Sequence, residues 1–220
     1  MRSTMPDLLE LSAEDVLTTT RAVRHRLDLD RPVDPRVIQR CVEIAVQAPT
    51  GRNRQRAAFV VVTDPERRAA LADLWRRGRA AGGSPMPAED TRRAYAKPRS
   101  MEKVWSGLDH LDANLHRVPA LVVPCITGRT DDAPVADQAG TWGSVLPAVW
   151  NFMLAARMHG LGTCWTTSNL PVEREVADLL GIPHAQVMQA ALIPLAHTIG
   201  TDFRPAHRVP VDEVLRWERW

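Results

Sequence analysis

Three short stretches of this chain gather the side chains best suited to holding a ligand. Arg21 and Arg24 lie three residues apart in Thr-Thr-Thr-Arg-Ala-Val-Arg-His-Arg at 18–26. On a helical end they project from one side and can clamp a phosphate, with small Ala22 letting the ligand near the backbone. A solvated basic face is the competing reading. Pro49, Thr50, Asn53 and Gln55 belong to a loop in which an apolar helix stops at a proline, Gly51 allows a turn, and a strand begins. Amides and hydroxyls held at the end of a buried strand suit ligand binding, although an ordinary surface connection has the same composition. Trp165, Thr166, Thr167 and Ser168 end a second short strand in hydroxyl groups.

The surrounding pattern indicates what positions these stretches. Leu8, Leu9, Leu11, Val16 and Leu17 predict a first helical segment, with Ser12 as its cap. Asp34-Pro35 and Asp64-Pro65 each read as a helix start, an N-cap followed by proline at the first helical position. Between those helices, Phe59–Val62 is expected to be a buried strand. From Ser84 to about Arg117 the periodicity weakens, and the segment reads as a lid with a short helix near 103–115, where Tyr95 and Trp105 can stack on a flat substrate. Pro119–Ile126 is strand-like, and Pro124, lacking a donor, is expected near the end of its pairing.

Val135–His159 is apolar almost all round and is expected in a core or a subunit interface, kinked or restarted at Pro147. Gly140, Gly143 and Ser144 suit the close approach of another helix. Gln186–Ile193 reads as one strand, and Trp217 and Trp220 at the tail call for cover by a partner subunit.

Composition narrows the class. The 220 residues show no internal break, so a single domain over 1–220 is expected, with 84–117 as a lid or variable insertion. Hydrophobic residues make up 45% and no apolar run approaches a membrane span. The first ten residues do not have the pattern of a secretory signal, which places the protein in the cytoplasm. Cys41, Cys125 and Cys164 are odd in number, far apart and set in apolar segments, so they read as core residues rather than as disulfide or metal ligands. A net charge of +2, without a helix-turn-helix bearing a clustered basic face, argues against a nucleic-acid partner. Of the 28 basic residues only Lys97 and Lys103 are lysines, and arginine suits phosphate recognition.

Taken in order, these motifs resemble the nitroreductase-like flavoproteins from about Leu17 to Trp220. Thr-Arg-Ala-Val-Arg is similar to that family's Arg-Arg-Ser-x-Arg phosphate-binding start. Ala-Pro-Thr-Gly-Arg-Asn-Arg-Gln is similar to its Ala-Pro-Ser-x-x-Asn-x-Gln stretch, and Gly-Leu-Gly-Thr-Cys-Trp-Thr-Thr to its strand beside the flavin. Arg-Val-Pro-Val-Asp-Glu-Val at 208–214 resembles its C-terminal Arg-x-Pro-Leu-x-Glu. The resemblance implies an α+β fold with a central mixed sheet flanked by helices, in a homodimer with interlocking termini and FMN at the subunit interface. Arg21, Ala22, Arg24 and Arg208 would hold the phosphate and ribityl chain. Pro49, Thr50 and Asn53 of the other subunit would line the flavin, and Trp165, Thr166, Thr167 and Ser168 would lie along its ring with a donor toward N5.

The activity implied is hydride transfer from NADH or NADPH through FMN to a small planar acceptor, a nitroaromatic or a quinone, with ping-pong kinetics and no protein acid, base or nucleophile. Reductive dehalogenation by a specialised member of the fold, and storage of FMN without turnover, are the alternatives. Thr20 stands where the family often has its first arginine, Ala22 replaces a serine, and Arg56-Ala57 replaces Pro-Trp. The first two departures predict a phosphate held less tightly than is usual in the family, and Arg56 either alters the substrate side of the site or faces water.

Overall fold

The computed structural model describes residues 8–82 and 98–220. Tyr95, Lys97 and most of the first half of the expected lid lie outside the described residues.

Helix starts follow local side-chain chemistry. In α1 (Ala13–Thr19) the Ser12 hydroxyl accepts from the Asp15 N–H while the Asp15 carboxylate accepts from the Ser12 N–H, a reciprocal capping box. Asp34 and Asp64 accept from the backbone N–H of Arg36 and Arg67 at the starts of α2 (Pro35–Ala45) and α3 (Pro65–Ala81), as the Asp-Pro pairs predict. Helix α4 (Pro98–Asn114) begins before the short helix expected from sequence. Its C-terminal half is docked on α3 by Arg79, which pairs with Asp109 and Asp112, each at 2.7 Å, and by apolar contacts of Leu111.

The sheet comprises β1 (Ala57–Val62), β2 (Ala120–Thr127), β3 (Leu161–Thr163), β4 (Val187–Gln189) and β5 (Ile193–His197) in the order β1-β2-β5-β3, with β4 also beside β2. The pairings between these strands are antiparallel, and a parallel element enters through the bridge Ala22↔Thr163. Strand β2 is central and buried on both faces. Ala120, Val122 and Ile126 face a core formed with α2 and with α5 (Val135–Met158), whereas Leu121, Val123 and Cys125 face Leu71 and Trp75 of α3 and Leu111 of α4. The result is a sheet sandwiched between two helical layers.

Four expectations need correction. Strand β1 is at an edge, with Val61 exposed and only Val62 buried, because β2 is its sole strand neighbour. Pro124 lies in mid-strand opposite Phe59, yet its carbonyl accepts from Ala190 on the other side. That places its missing N–H where β2 passes from β5, which pairs through Val122, to β4, which pairs from Cys125, so no ladder bond is lost. The single strand expected over 186–193 is divided between β4 and β5. Finally, α5 continues through Pro147 as one helix. The carbonyl that Pro147 deprives of a donor belongs to Gly143, which is exposed and can be satisfied by solvent.

Three histidines are kept neutral by their surroundings. Burial lowers the pKa of His110, helped by His25 and Arg117; of His159, helped by Arg40; and of His197, helped by Arg31. Because each folded-state value lies below the ordinary 6.5, the unfolded chain takes up these protons first as pH falls. Their contribution to stability is intact above pH 6.5 and is lost on acidification through the folded values. The unfolding temperature is expected to drop between pH 7.5 and 5.5, and a flat calorimetric profile over that interval would contradict this assignment.

Candidate functional site

The arginine stretch is extended, not helical. Helix α1 ends at Thr19, Thr20 is already in β conformation, and the Val23 N–H donates to the Thr163 carbonyl at 2.8 Å, so residues 21–23 run alongside β3. A turn follows, closed by the Leu27 N–H on the Arg24 carbonyl. Edge pairing and a turn, rather than helical spacing, set Arg21 and Arg24 in place.

The chain beyond β5 returns to the same stretch. Arg26 donates to the Ile199 carbonyl at 2.7 Å and pairs with Asp202 at 2.6 Å. The guanidiniums of Arg26 and Arg157 both pack on the Phe203 ring, 4.3 and 4.9 Å from its centroid. Arg21 Nη1 donates to the Arg204 carbonyl at 2.9 Å. These contacts bring Arg208 to a cavity of about 560 Å³ that Arg21, Ala22 and Arg24 also line. Arg26, Lys103, His25 and His207 border it too, and among the described residues no carboxylate is part of its lining. Helix α4 is held against this turn by a 3.0 Å hydrogen bond between His25 Nε2 and Ser106 Oγ and by the His25–His110 ring contact at 4.6 Å. Arg24 Nε is buried without a protein partner. Cations converging in the absence of acids make a site for an anionic group.

The Pro49–Gln55 loop does not line this cavity. It packs on α5, where the Gly51 N–H donates to Ser144 Oγ at 3.0 Å. The ends of the loop are clasped by the Gln55 N–H donating to Thr50 Oγ1 and by Gln55 Nε2 donating to Asn53 Oδ1. Arg52, Asn53 and Gln55 all have left-handed backbone, with φ of 55°, 53° and 47°. Each such non-glycine residue costs on the order of 1 kcal/mol, so three in four positions mark a loop held in a specific shape. Among the described residues nothing lies within 4 Å of a Cβ built on Gly140 or Gly143, and Ser144 receives the loop.

The Trp165–Ser168 stretch is likewise apart from the cavity lining. Trp165 packs partly into the core around α5. Thr166 is buried, and its hydroxyl donates to the Leu192 carbonyl at 2.7 Å while accepting from Trp75 Nε1 at 3.0 Å. Its backbone N–H and carbonyl pair with Leu192 as well, so Thr166 has no donor left for a ligand. Thr167 is exposed and Ser168 half-buried, which leaves these two as the accessible polar residues at that strand end. Cys164, one residue before Trp165, has its thiol pushed up by burial, a shift that Arg24 opposes.

Of the eleven sequence-derived residues, four meet at one cavity: Arg21, Ala22, Arg24 and Arg208. The cavity also draws on residues to which sequence reasoning gave no role there, namely His25, Arg26 and His207. For His25 and Arg26 the signal was present in the continuous run Arg21–Arg26, all six residues of which prove to be wall positions. Among the described residues no helix is long and apolar enough to cross a membrane, and no three His, Cys, Asp or Glu side chains cluster as metal ligands.

Comparison with known proteins agrees with this architecture. The model of the Nitroreductase family matches residues 17–197. A variant of the FMN- and NADPH-dependent nitroreductase NfnB from Sphigopyxis sp. strain HMH is 25% identical, superposes with a TM-score of 0.71, and aligns over 96% of this chain and 100% of its own. A BluB-like flavoprotein from Clostridium difficile 630 gives 20% identity and a TM-score of 0.69, over 95% of this chain and 100% of that one. Iodotyrosine deiodinase bound to FMN and 3-iodo-L-tyrosine gives 21% and 0.67, over 94% and 99%. Because the family match spans α1 through β5 and includes both arginine and strand-end motifs, the chain belongs to the nitroreductase family.

Proposed function

We propose that the protein is an FMN-dependent oxidoreductase that takes hydride from NADH or NADPH and passes it to a small planar acceptor, such as a nitroaromatic or a quinone, in a ping-pong cycle. The observation that carries this reading is the convergence of Arg21, Arg24 and Arg208, from opposite ends of the chain, on one cavity without acids. An FMN phosphate, with a charge near −2, fits such a donor set, and the orphaned Arg24 Nε would gain a partner. When bound, FMN supplies the hydride-accepting and hydride-donating chemistry. The protein's own part is to neutralise the phosphate through Arg21, Arg24 and Arg208, to let it approach the backbone at Ala22, and to keep positive charge nearby with Arg26 and Lys103. Thr167 and Ser168 remain the candidates for polar contact with the ring.

The same reading assigns Pro49, Thr50 and Asn53 to the neighbouring site of a homodimer. Two features support that assembly. An apolar groove of about 480 Å³ runs between α1 and α5, lined by Leu11, Val16, Leu17, Ile44 and Leu154, and Leu17 is 61% exposed. The tail leaves Trp217 79% exposed and Trp220 fully so in a single chain. Surfaces of this kind are normally covered.

The test is direct. The purified protein is expected to be yellow, or to become so on adding FMN, and to oxidise NADPH or NADH with menadione or nitrofurazone along parallel double-reciprocal lines. A colourless protein that takes up no FMN would overturn the cofactor assignment. Uptake without turnover would favour storage, and turnover confined to halogenated phenols would favour dehalogenation.

A further inference from the structure

Arg157, near the end of α5, has no role in the flavin reading. Its side chain belongs to a residue only 5% exposed. Nη2 donates to Thr19 Oγ1 at 3.3 Å and to the Thr201 carbonyl at 3.0 Å, but Nε and Nη1 are buried with no partner. Among the described residues no carboxylate lies within ion-pair distance of it. Asp15 is the acid whose charge it senses, and that carboxylate is engaged with Ser12. A buried guanidinium with two unpartnered nitrogens and no counter-charge is among the least favourable arrangements a protein interior can hold.

The surroundings aggravate the imbalance. Arg26 shares the Phe203 ring with Arg157, and among the described residues only Arg26 of the two has a carboxylate partner, Asp202. Arg157 also borders a small cavity of about 10 Å³ shared with Arg21, Thr19, Thr20 and Phe203. Such a volume admits one water-sized particle. The remaining wall is largely apolar, formed by Val23, Met153 and Leu161, and the hydroxyl protons of Thr19 and Thr20 are already given to the carbonyls of Asp15 and Val16. A water there would find donors but few acceptors and would leave the charge uncompensated. A small anion would meet both needs.

We propose that this cavity is a buried halide site in which one chloride-sized anion accepts from Arg157 Nε and Nη1. Arg157 is then an anion ligand locked behind the wall that carries Arg21, separate from the 560 Å³ cavity where Arg24 and Arg208 sit. The occupant neutralises the buried charge on which the Thr201 carbonyl and the Phe203 ring are anchored.

The experiment compares unfolding temperatures at matched ionic strength in sodium chloride, sodium bromide and sodium gluconate, with the protein both saturated with FMN and stripped of it. The expected result is a saturable rise of about 5 °C with either halide over gluconate, present in both flavin states and abolished in Arg157→Met. Persistence without FMN separates this site from any phosphate site. Crystals grown in bromide should show an anomalous peak in contact with the Arg157 guanidinium, which decides the matter even if the variant does not fold. Equal unfolding temperatures in gluconate and chloride, or a water with no anomalous signal at that position, would overturn the proposal.

Discussion

Replacing Gly78 by alanine is expected to lower the unfolding temperature by about 2–12 °C and to disturb the Thr167–Ser168 strand end at the same time. A Cβ built on Gly78 would lie 1.9 Å from the Ser168 carbonyl oxygen and 3.3 Å from Val172 Cγ2. The first of these is backbone, so the clash cannot be relieved by a rotamer change. Either α3 moves away, opening the layer that contains Trp75 and Leu71, or the 166–169 turn gives way. Alanine favours the helix over glycine by about 1 kcal/mol, but overpacking against a fixed backbone costs roughly 2–4 kcal/mol, so the net effect is destabilising. Calorimetry measures the first consequence and flavin affinity the second. A variant as stable as the parent would mean that helix and turn are not in the contact described.

The second large effect concerns the anion cavity. Arg208→Ala is expected to weaken FMN binding by about 10- to 150-fold while leaving riboflavin binding unchanged, since a hydrogen bond to a charged group contributes roughly 1.5–3 kcal/mol. Arg208 is the cleanest position for the test: its side chain donates only to the carbonyl of its own neighbour, His207, so its removal disturbs no other element. Arg21→Ala should produce a similar phosphate-specific loss together with a looser tail, because Arg21 also holds the Arg204 carbonyl. Fluorescence titration with the two flavins separates these effects. Equal losses for FMN and riboflavin would place the arginines away from the phosphate, and no loss for either would remove them from the site.

What could be read from sequence was whatever is decided within a few residues. Ser12, Asp34 and Asp64 cap the helices they were expected to cap, because a side-chain oxygen reaching a backbone N–H two or three positions on needs no tertiary partner. That β2 is a strand was likewise visible in its apolar run. Features decided by distant residues were not visible. The alternation of Val60, Val61 and Val62 cannot reveal that only one neighbour pairs with them, and Pro124 gives no sign that two different strands take turns beside it. Arg21 and Arg24 have helical spacing, but Arg21 lies in extended backbone and Arg24 opens a turn, because Thr163, more than a hundred residues later, claims Val23. Thr166 looked available on account of its hydroxyl, yet Trp75 and Leu192 consume it. Arg157 was hidden for the same reason: in an apolar helix one charge reads as a surface position until Phe203 and Thr201 are seen to close over it.

The way the chain closes on itself also bears on how it comes into being. Residues 21–27 draw their partners from Thr163, Thr198, Ile199, Asp202 and Arg204. During synthesis the earliest of these segments must therefore wait, unpaired and strongly cationic, until nearly two hundred residues have left the ribosome. Such long-range closure is slow by its topology, and it keeps a strongly cationic segment exposed until late in folding.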